Sequence, residues 1–307
     1  MEMHRKTVDG LAIGLLLALC TIWALQQVLV KAVAGDMAPV MQLAIRSGFS
    51  AFIIALVLLF QGKALFTAST WKPGLLAGLL FGLEFFFIAE GLRFTTASHM
   101  VVFLYTTPIF TALFLSWMLP NERLSILQWL GVTLAFFGLV IAFMFGDDAA
   151  DNAPDILWGD FLGILAALSW ALTTVVIRVS RLSQAPSQQI LFYQVFVGFV
   201  LLAAMTLVAD QTQVQWTTPL LLNLVFQIVV VGLISFSTWL WLLRRYVASQ
   251  LSVFTFLTPV LGVFLGALLL DEPMQSSFIV GAVLVVFGML LVHGHQALQS
   301  RLWRSKG

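Results

Sequence analysis

Charged side chains are scarce in this sequence. Asp, Glu, Lys and Arg make up 9% of the 307 residues, whereas hydrophobic residues make up 61% and the mean hydropathy is +1.01. A soluble domain carries roughly 25% charged residues, so this composition excludes a water-soluble globular protein and indicates a chain folded in lipid. The aromatic content of 13% suits lipid-facing surfaces and interfacial belts. The net charge of +1 gives no sign of a nucleic-acid partner.

The motifs of common enzyme active sites are also missing. The chain has no glycine-rich phosphate-binding loop, no His-Glu-x-x-His motif, no Gly-x-Ser-x-Gly motif and no polar segment large enough for a catalytic domain. We therefore predict no enzyme activity, no cofactor and no metal site, since His293 and His295 alone are a weak metal signal. A pump driven by ATP would need a separate subunit. The lone Cys20 excludes an intramolecular disulfide and leaves the redox compartment open.

Long apolar runs fill most of the chain. A membrane-spanning helix needs about 20 mostly apolar residues. The first run, residues 10–30, is longer than the hydrophobic part of a cleaved signal peptide, which has about 7 to 15 residues, so we expect a retained signal-anchor helix. Breaks at charges, Pro and Gly divide the chain into ten predicted spans. They cover residues 10–31, 37–60, 73–92, 95–118, 124–145, 156–178, 187–209, 218–242, 248–270 and 277–294.

One pattern occurs twice in the chain. Trp23-Ala24-Leu25, Val28 and Lys31 recur 147 residues later as Trp170-Ala171-Leu172, Val175 and Arg178. Repetition of this kind in an apolar chain is typical of transporters built from two related halves. A longer copy, offset by 150 or 151 residues, pairs Ala97-Ser98 with Ala248-Ser249, Pro108 with Pro259, Asn121-Glu122 with Asp271-Glu272, Gly131 with Gly281 and Gly138 with Gly288.

The repeat predicts an all-α integral membrane protein with ten transmembrane helices in two inverted five-helix repeats. Residues 1–146 form the first repeat, 147–155 an acidic linker and 156–307 the second repeat with a short basic tail. Five spans per half is an odd number, so the two halves must be inserted in opposite senses. With a cytoplasmic N-terminus, twelve of the fifteen Lys and Arg residues lie on the cytoplasmic side. We therefore expect both termini in the cytoplasm, a multi-pass inner-membrane protein and an extracytoplasmic linker.

Several short motifs resemble the EamA-like branch of the drug/metabolite transporter superfamily. They are Glu90-Gly91-Leu92-Arg93-Phe94-Thr95-Thr96-Ala97-Ser98, Thr107-Pro108, Asn121-Glu122-Arg123-Leu124, and Gly131 with Gly138. The resemblance covers essentially the whole chain. It implies a secondary transporter that moves a small amino-acid-like or amphipathic metabolite by alternating access, as an exporter. An uncoupled facilitative carrier or an uptake permease is the alternative, and a membrane enzyme or receptor is a remote one.

Glu84 is the sharpest local signal in the sequence. It lies 11 residues after Pro73, about 16 Å along the helix at 1.5 Å per residue. An ionisable residue at that depth is costly and is a functional-site hypothesis by default. Gly74, Gly78 and Gly82 form a packing face on the same helix, and Glu84 projects roughly 120° away from it. We predict that Glu84 carries a proton or binds a cation, with a structural ion pair as the alternative.

Arg46 is a cation within the second predicted span. It stands about 14 Å from the outer end of that helix, and arginine cannot lose its charge to reduce the cost of burial. It is therefore expected to pair with Glu84, to lie in a solvated vestibule, or to bind a carboxylate of the substrate. Alignment of the halves places Gln194 opposite Arg46, with Tyr193 beside it.

Pro108 and Pro259 fall near the middle of two equivalent spans, each after a threonine. Proline removes a helical hydrogen bond and kinks the helix, so these positions are candidate hinges, with a static bend as the alternative. Neutral polar and aromatic side chains near them are candidate substrate contacts across the repeat axis. They are Gln26, Gln27, Trp23, Tyr105, Thr107, Trp170, Ser235 and Thr258.

Overall fold

The computed structural model describes residues 6–91, 94–95, 97–144, 155–270 and 276–304. Within these residues the regular secondary structure is helical, apart from two isolated β-bridges. Short 3₁₀ helices occupy Pro120–Glu122 and Arg181–Gln184, and a π-helix occupies Phe226–Ser235. The α-helices are α1 (Gly10–Ala32), α2 (Pro39–Phe60), α3 (Trp71–Gly91), α4 (Ala97–Leu104), α5 (Thr107–Met118), α6 (Ile126–Met144), α7 (Ile156–Val179), α8 (Ser187–Val208), α9 (Thr218–Val225), α10 (Phe236–Arg245), α11 (Ala248–Phe254), α12 (Leu257–Leu270) and α13 (Ser276–Arg304).

Eight helical segments among the described residues are long and apolar enough to cross a membrane. They correspond to α1, α2, α3, α7, α8, and the composite segments Met100–Met118, Thr218–Arg245 and Ala248–Leu269. Two shorter apolar helices, Ile126–Ala142 and Ser276–Val292, fall at the remaining predicted positions. The all-helical membrane class is therefore confirmed, whereas the crossing of the membrane by these two shorter helices stays a prediction.

Three predicted spans are not single α-helices, which corrects the sequence analysis. The span predicted over 95–118 ends as α4 at Leu104 and restarts as α5 at Thr107, and the span over 248–270 breaks between Phe254 and Leu257. Both breaks lie just before a proline, because proline lacks the N–H of a regular helix and its ring clashes with the carbonyl four residues back. The span over 218–242 contains the π-helix, and α13 continues to Arg304, beyond the predicted end at residue 294.

Helices α6 and α13 cross at glycines. A Cβ atom added to Gly131 would lie 2.6 Å from the main-chain oxygen of Gly288, and one added to Gly138 would lie 2.7 Å from that of Gly281. Real Cβ atoms do not approach an oxygen so closely, so only glycine permits this contact. The glycine nearer the start of α6 meets the glycine later in α13, which makes the two helices antiparallel.

The predicted glycine face of α3 is confirmed. It packs against α8, where a Cβ added to Gly78 would lie 2.8 Å from Val197 and one added to Gly82 would lie 2.9 Å from Leu201. The end of α3 packs on the start of α7, where a Cβ added to Gly159 would lie 2.9 Å from the main-chain oxygen of Gly91. Small residues allow close helix approach in lipid, where burial of apolar surface gives no driving force.

The ends of the helices form two faces. The N-terminal face contains the start of α1 and the end of α10, which are joined because Lys6 N donates to Arg245 O at 2.9 Å. The opposite face contains the end of α1 and the start of α9, where Gln215 N donates to Asp36 O at 2.8 Å. Residues 147–154 of the predicted linker, Arg93, and the Asp271-Glu272 pair lie outside the described residues.

The α6/α13 crossing can be tested with a large side chain. Gly138→Leu should lower the free energy of unfolding by about 1–3 kcal/mol or more, because the crossing leaves no room for it. Gly14→Leu is the matched control, since no atom lies within 4 Å of a Cβ at that helical position. Thermal unfolding in detergent measures both variants. Equal melting temperatures for the two would contradict the close crossing.

Candidate functional site

Arg46 lies at the centre of the candidate site. Its side chain is fully buried in α2, with 0% exposure. The guanidinium lies between two aromatic rings, with Cζ 5.0 Å from the ring centre of Phe85 on α3 and 5.2 Å from that of Phe236 on α10. Nη1 donates to Gln26 Oε1 on α1 at 3.3 Å. The two rings supply cation–π attraction but no acceptor in the plane of the guanidinium.

The rest of the guanidinium is not hydrogen-bonded. Nε and Nη2 of Arg46 are buried and have no acceptor among the described residues. Glu84 on α3 is 8% exposed and close enough to interact electrostatically with Arg46. The salt bridges between described residues do not include this pair, so the structural ion pair considered above is not formed in this conformation. Each unfilled buried donor costs about 1–3 kcal/mol, so Nε and Nη2 are candidate ligand-binding groups.

A line of buried amides leads from the opposite face to Arg46. Asn223 Nδ2 donates to Gln42 Oε1 at 2.8 Å, and Gln227 Nε2 is 3.4 Å from Asn223 Oδ1. Gln227 Nε2 is also 3.4 Å from the main-chain oxygen of Gln26. Gln227 lies in the π-helix, an element that occurs frequently at functional sites. We name Gln42, Asn223 and Gln227 the amide line.

Two groups of predicted residues meet near this centre. Trp23 Nε1 donates to Ser235 Oγ at 3.0 Å, and the Trp23 ring meets that of Trp239 edge to face at 5.4 Å. The Tyr105 ring meets that of Trp170 at 5.9 Å. The Tyr105 hydroxyl is near Gln27, Thr258 and Glu84, although Thr258 Oγ1 makes no hydrogen bond of normal geometry.

Other predicted site residues make their hydrogen bonds away from Arg46. The hydroxyl of Tyr193 pairs with Thr70 Oγ1 at 3.0 Å near the N-terminal face, and Gln194 is buried beside it on α8. Thr107 Oγ1 donates to Leu104 O at 2.6 Å, the carbonyl that Pro108 leaves without its helical donor. Pro108 and Pro259 lie in the first turn of α5 and of α12. Among the described residues, no hydrogen bond or cation–π contact joins any of these side chains to Arg46.

A buried ion pair at the N-terminal face was not predicted. Arg178 Nη2 contacts Glu122 Oε1 and donates to Tyr246 O at 2.6 Å, and Ser249 Oγ donates to Glu122 O at 2.9 Å. Glu122 and Arg178 are each 3% exposed. The sequence held a signal, because Glu122, Arg178 and Ser249 all belong to the repeated pattern. The repeated pattern did not indicate that these three residues contact one another in the fold.

Hydroxyl–aspartate contacts join the helix ends at both faces, and two of them, Tyr246 with Asp9 and Thr95 with Asp160, involve the start of α1 or of α7. At the N-terminal face, the Tyr246 hydroxyl lies 3.0 Å from both carboxylate oxygens of Asp9. The hydrogen bond from Ala12 N, and after it the hydrogen bond from the Tyr246 hydroxyl, hold the pKa of Asp9 below its ordinary value. Burial, and after it the interaction with Asp9, raise the pKa of Tyr246. At the opposite face, Thr95 Oγ1 donates to Asp160 Oδ1 at 2.6 Å. Each contact ties a helix corner to the start of α1 or α7.

Apolar helices that enclose buried charges and amides indicate a multi-pass membrane protein with a polar interior, as transport pathways have. Within the described residues, no group of three or more His, Cys, Asp or Glu could hold a metal ion. The model of the EamA-like transporter family matches residues 10–144 and 157–294. The chain belongs to this family.

Two relatives that match over nearly their whole length are named as transport proteins. The uncharacterized transporter YoaV of Bacillus subtilis (strain 168) is 25% identical over 90% of this chain and 94% of its own. A probable amino-acid metabolite efflux pump of Escherichia coli (strain K12) is 24% identical over 94% of this chain and 95% of its own. A solved crystal structure at 20% identity covers 91% of this chain and 95% of its own with a TM-score of 0.76, which shows the shared fold.

The ion pair at the N-terminal face can be tested by removing its partners singly and together. Arg178→Met should lower the free energy of unfolding by about 3–5 kcal/mol, because Glu122 is left as a buried unpaired charge. Adding Glu122→Gln should recover much of that loss. Arg181→Met, which removes an exposed arginine at the same face, is the control. A loss for Arg178→Met no larger than the control's would refute the pair's importance.

Proposed function

We propose that this protein is a secondary transporter that exports small amino-acid-like or amphipathic metabolites across the inner membrane by alternating access. One observation carries the proposal: Arg46 and Glu84 are buried close together inside apolar helices, without a direct ion pair. Ionisable residues at such depth mark substrate or ion pathways. The efflux function in the name of the Escherichia coli relative supports the direction of transport. The bilayer, a small molecule and protons are the partners that this function requires.

The proposed scaffold has ten transmembrane helices in two inverted five-helix repeats, 1–146 and 156–307, joined by the acidic linker 147–155. The glycine crossing supports it, because Gly131 meets Gly288 while Gly138 meets Gly281, the reciprocal arrangement expected around a two-fold axis. The helix breaks before Pro108 and Pro259 also occur at equivalent positions. In this scheme the N-terminal face is cytoplasmic.

The proposed site combines the residues around Arg46 with those around Tyr105. Arg46, Glu84 and Gln26 supply charge and hydrogen bonds, and the rings of Trp23 and Trp170 enclose apolar parts of the substrate. Farther from this centre, Pro108 and Pro259 are proposed as hinges, because each follows a break that lets one half of the span tilt against the other. The remaining neutral residues proposed as contacts are Gln27, Tyr105, Ser235 and Thr258. Thr107, Tyr193 and Gln194 are proposed only as supporting residues, because Thr107 and Tyr193 are hydrogen-bonded away from this centre.

Proton coupling is proposed through Glu84 and tested by Glu84→Gln, which keeps the shape of the side chain and fixes its neutral form. Transport driven by a proton gradient in proteoliposomes should collapse, whereas substrate exchange, which moves no net proton, should partly survive. Glu90→Gln, near the end of the same helix, is the control. If Glu84 only balances Arg46, the melting temperature should fall instead, because a buried cation loses its counter-charge. A well-folded Glu84→Gln protein with undiminished gradient-driven transport would favour an uncoupled carrier or uptake permease.

Alternating access predicts that the Tyr246–Asp9 contact and the Thr95–Asp160 contact break in different states. Cys20, the only cysteine, is buried in α1 against Phe254 O and reports on opening. Tyr246→Phe should raise labelling of Cys20 by an impermeant thiol reagent added on the cytoplasmic side, and Thr95→Val should raise labelling from the other side. The rates are measured in vesicles of known orientation.

Thr206→Val is the control for this labelling, since within the described part of the chain the Thr206 hydroxyl bonds only to Leu202 O of its own helix. Increased labelling from the same side in both variants would contradict alternating access. Increased labelling from exchanged sides would reverse the proposed orientation.

A further inference from the structure

We infer that Arg46 binds a carboxylate of the transported molecule through the edge formed by Nε and Nη2. This inference rests on the proposed function and specifies its substrate class. Nη1 is engaged by Gln26 at 3.3 Å, and the two nitrogens that lack acceptors are Nε and Nη2. These two nitrogens lie on the same edge of the guanidinium and present parallel N–H groups. That geometry matches the two oxygens of a carboxylate.

The surroundings of Arg46 hold this edge in a fixed direction. Phe85 and Phe236 lie 5.0 and 5.2 Å from Cζ, and Phe81 contacts both rings at 5.1 and 5.7 Å. Phe85 and Phe236 cover the guanidinium without offering an acceptor to the free edge, and Phe81 packs against both of these rings. A planar anion that reaches this edge is therefore oriented by an arginine with little freedom to move.

The same surroundings limit the rest of the ligand. Phenyl rings beside the cation favour an apolar or aromatic body next to the carboxylate. Gln227 Oε1, a buried acceptor without a partner among the described residues, lies on a side chain whose Nε2 contacts the main chain of Gln26. An N–H group close to the carboxylate would satisfy it. An apolar α-amino acid, or its N-acyl or oxo-acid relative, fits these requirements better than an organic cation.

Access to the edge requires a change of conformation, because Arg46 is fully enclosed here. Phe236 directly follows the π-helix, so a movement of α10 away from α2 would uncover the guanidinium. The charge of Glu84 acts on the same point, so the protonation state of Glu84 is coupled to the binding of a carboxylate at Arg46.

The test changes the ligand and the protein in parallel. The probes are the L-amino acids phenylalanine, leucine, methionine and threonine, each paired with its carboxamide, which keeps the shape but removes the anionic oxygens. Binding to purified protein in detergent is measured by thermal stabilisation and by equilibrium binding of the labelled acid. The wild-type protein should prefer an acid to its amide by on the order of tenfold to a hundredfold, as expected for hydrogen bonds to a charged group.

Two substitutions at Arg46 separate charge from geometry. Arg46→Lys keeps the charge but loses the paired donors, so it should remove most of the preference for the acid. Arg46→Gln should remove the preference entirely while leaving amide binding little changed. Arg123→Gln, which alters an exposed arginine, should keep the wild-type preference. The comparison of acid and amide in the wild-type protein needs no variant to fold.

Three results would overturn the inference. They are equal binding of acids and amides to the wild-type protein, equal losses of acid and amide binding in Arg46→Gln, and no stabilisation by any acid of the panel. The proposed function fails separately, if no substrate at all crosses proteoliposomes containing the protein. Transport of a carboxylate-free substrate that is insensitive to Arg46→Gln would leave the transport function standing and refute this role of Arg46.

Discussion

Lipid offers no hydrogen-bonding partner, so each polar group between the two faces must find one within the protein. Many hydroxyls do so locally. Ser235 Oγ donates to Val231 O at 2.7 Å and Thr206 Oγ1 to Leu202 O at 2.9 Å, each four residues back in its own helix. The buried groups that fail to do so include Arg46, Ser50 and Gln227, which lie on α2 and on the π-helix that faces it. These buried polar groups without a partner coincide with the candidate functional site.

Two of the helix interfaces made by α2 and α3 have opposite chemistry. Gly78 and Gly82 of α3 meet apolar side chains of α8, and Tyr193 closes this interface near one face. The interface of α2 with the π-helix instead carries the amide line. Separating the glycine interface would lose close packing with no compensation, because lipid cannot restore those contacts. The amides of the α2 interface can replace their mutual hydrogen bonds by hydrogen bonds to water, so opening this interface would cost less free energy.

The sequence predicted the helices better than the site. Apolar runs located the helices, and Gly78 and Gly82 marked a packing face, because composition and spacing carry that information directly. Glu84 and Arg46 were visible as charges in apolar surroundings. Phe85 and Phe236 were not, since a phenyl ring in an apolar helix looks the same whether it faces lipid or a guanidinium. The pairing of Glu122 with Arg178 could not be predicted because it joins residues 56 positions apart. The π-helix could not be predicted either, since no residue type is specific to a π-helix.

The π-helix has a consequence for the length of the chain. The segment Thr218–Arg245 has 28 residues, whereas its counterpart α3 has 21. At 1.5 Å per residue, 28 residues of α-helix would extend about 42 Å, well beyond a hydrocarbon core of about 30 Å. A π-helix places more residues in each turn, so the extra residues widen the segment more than they lengthen it. The offset between matching motifs of the two halves grows from 147 to 151 residues across this part of the chain. The π-helix accommodates these extra residues without displacing the helices on either side.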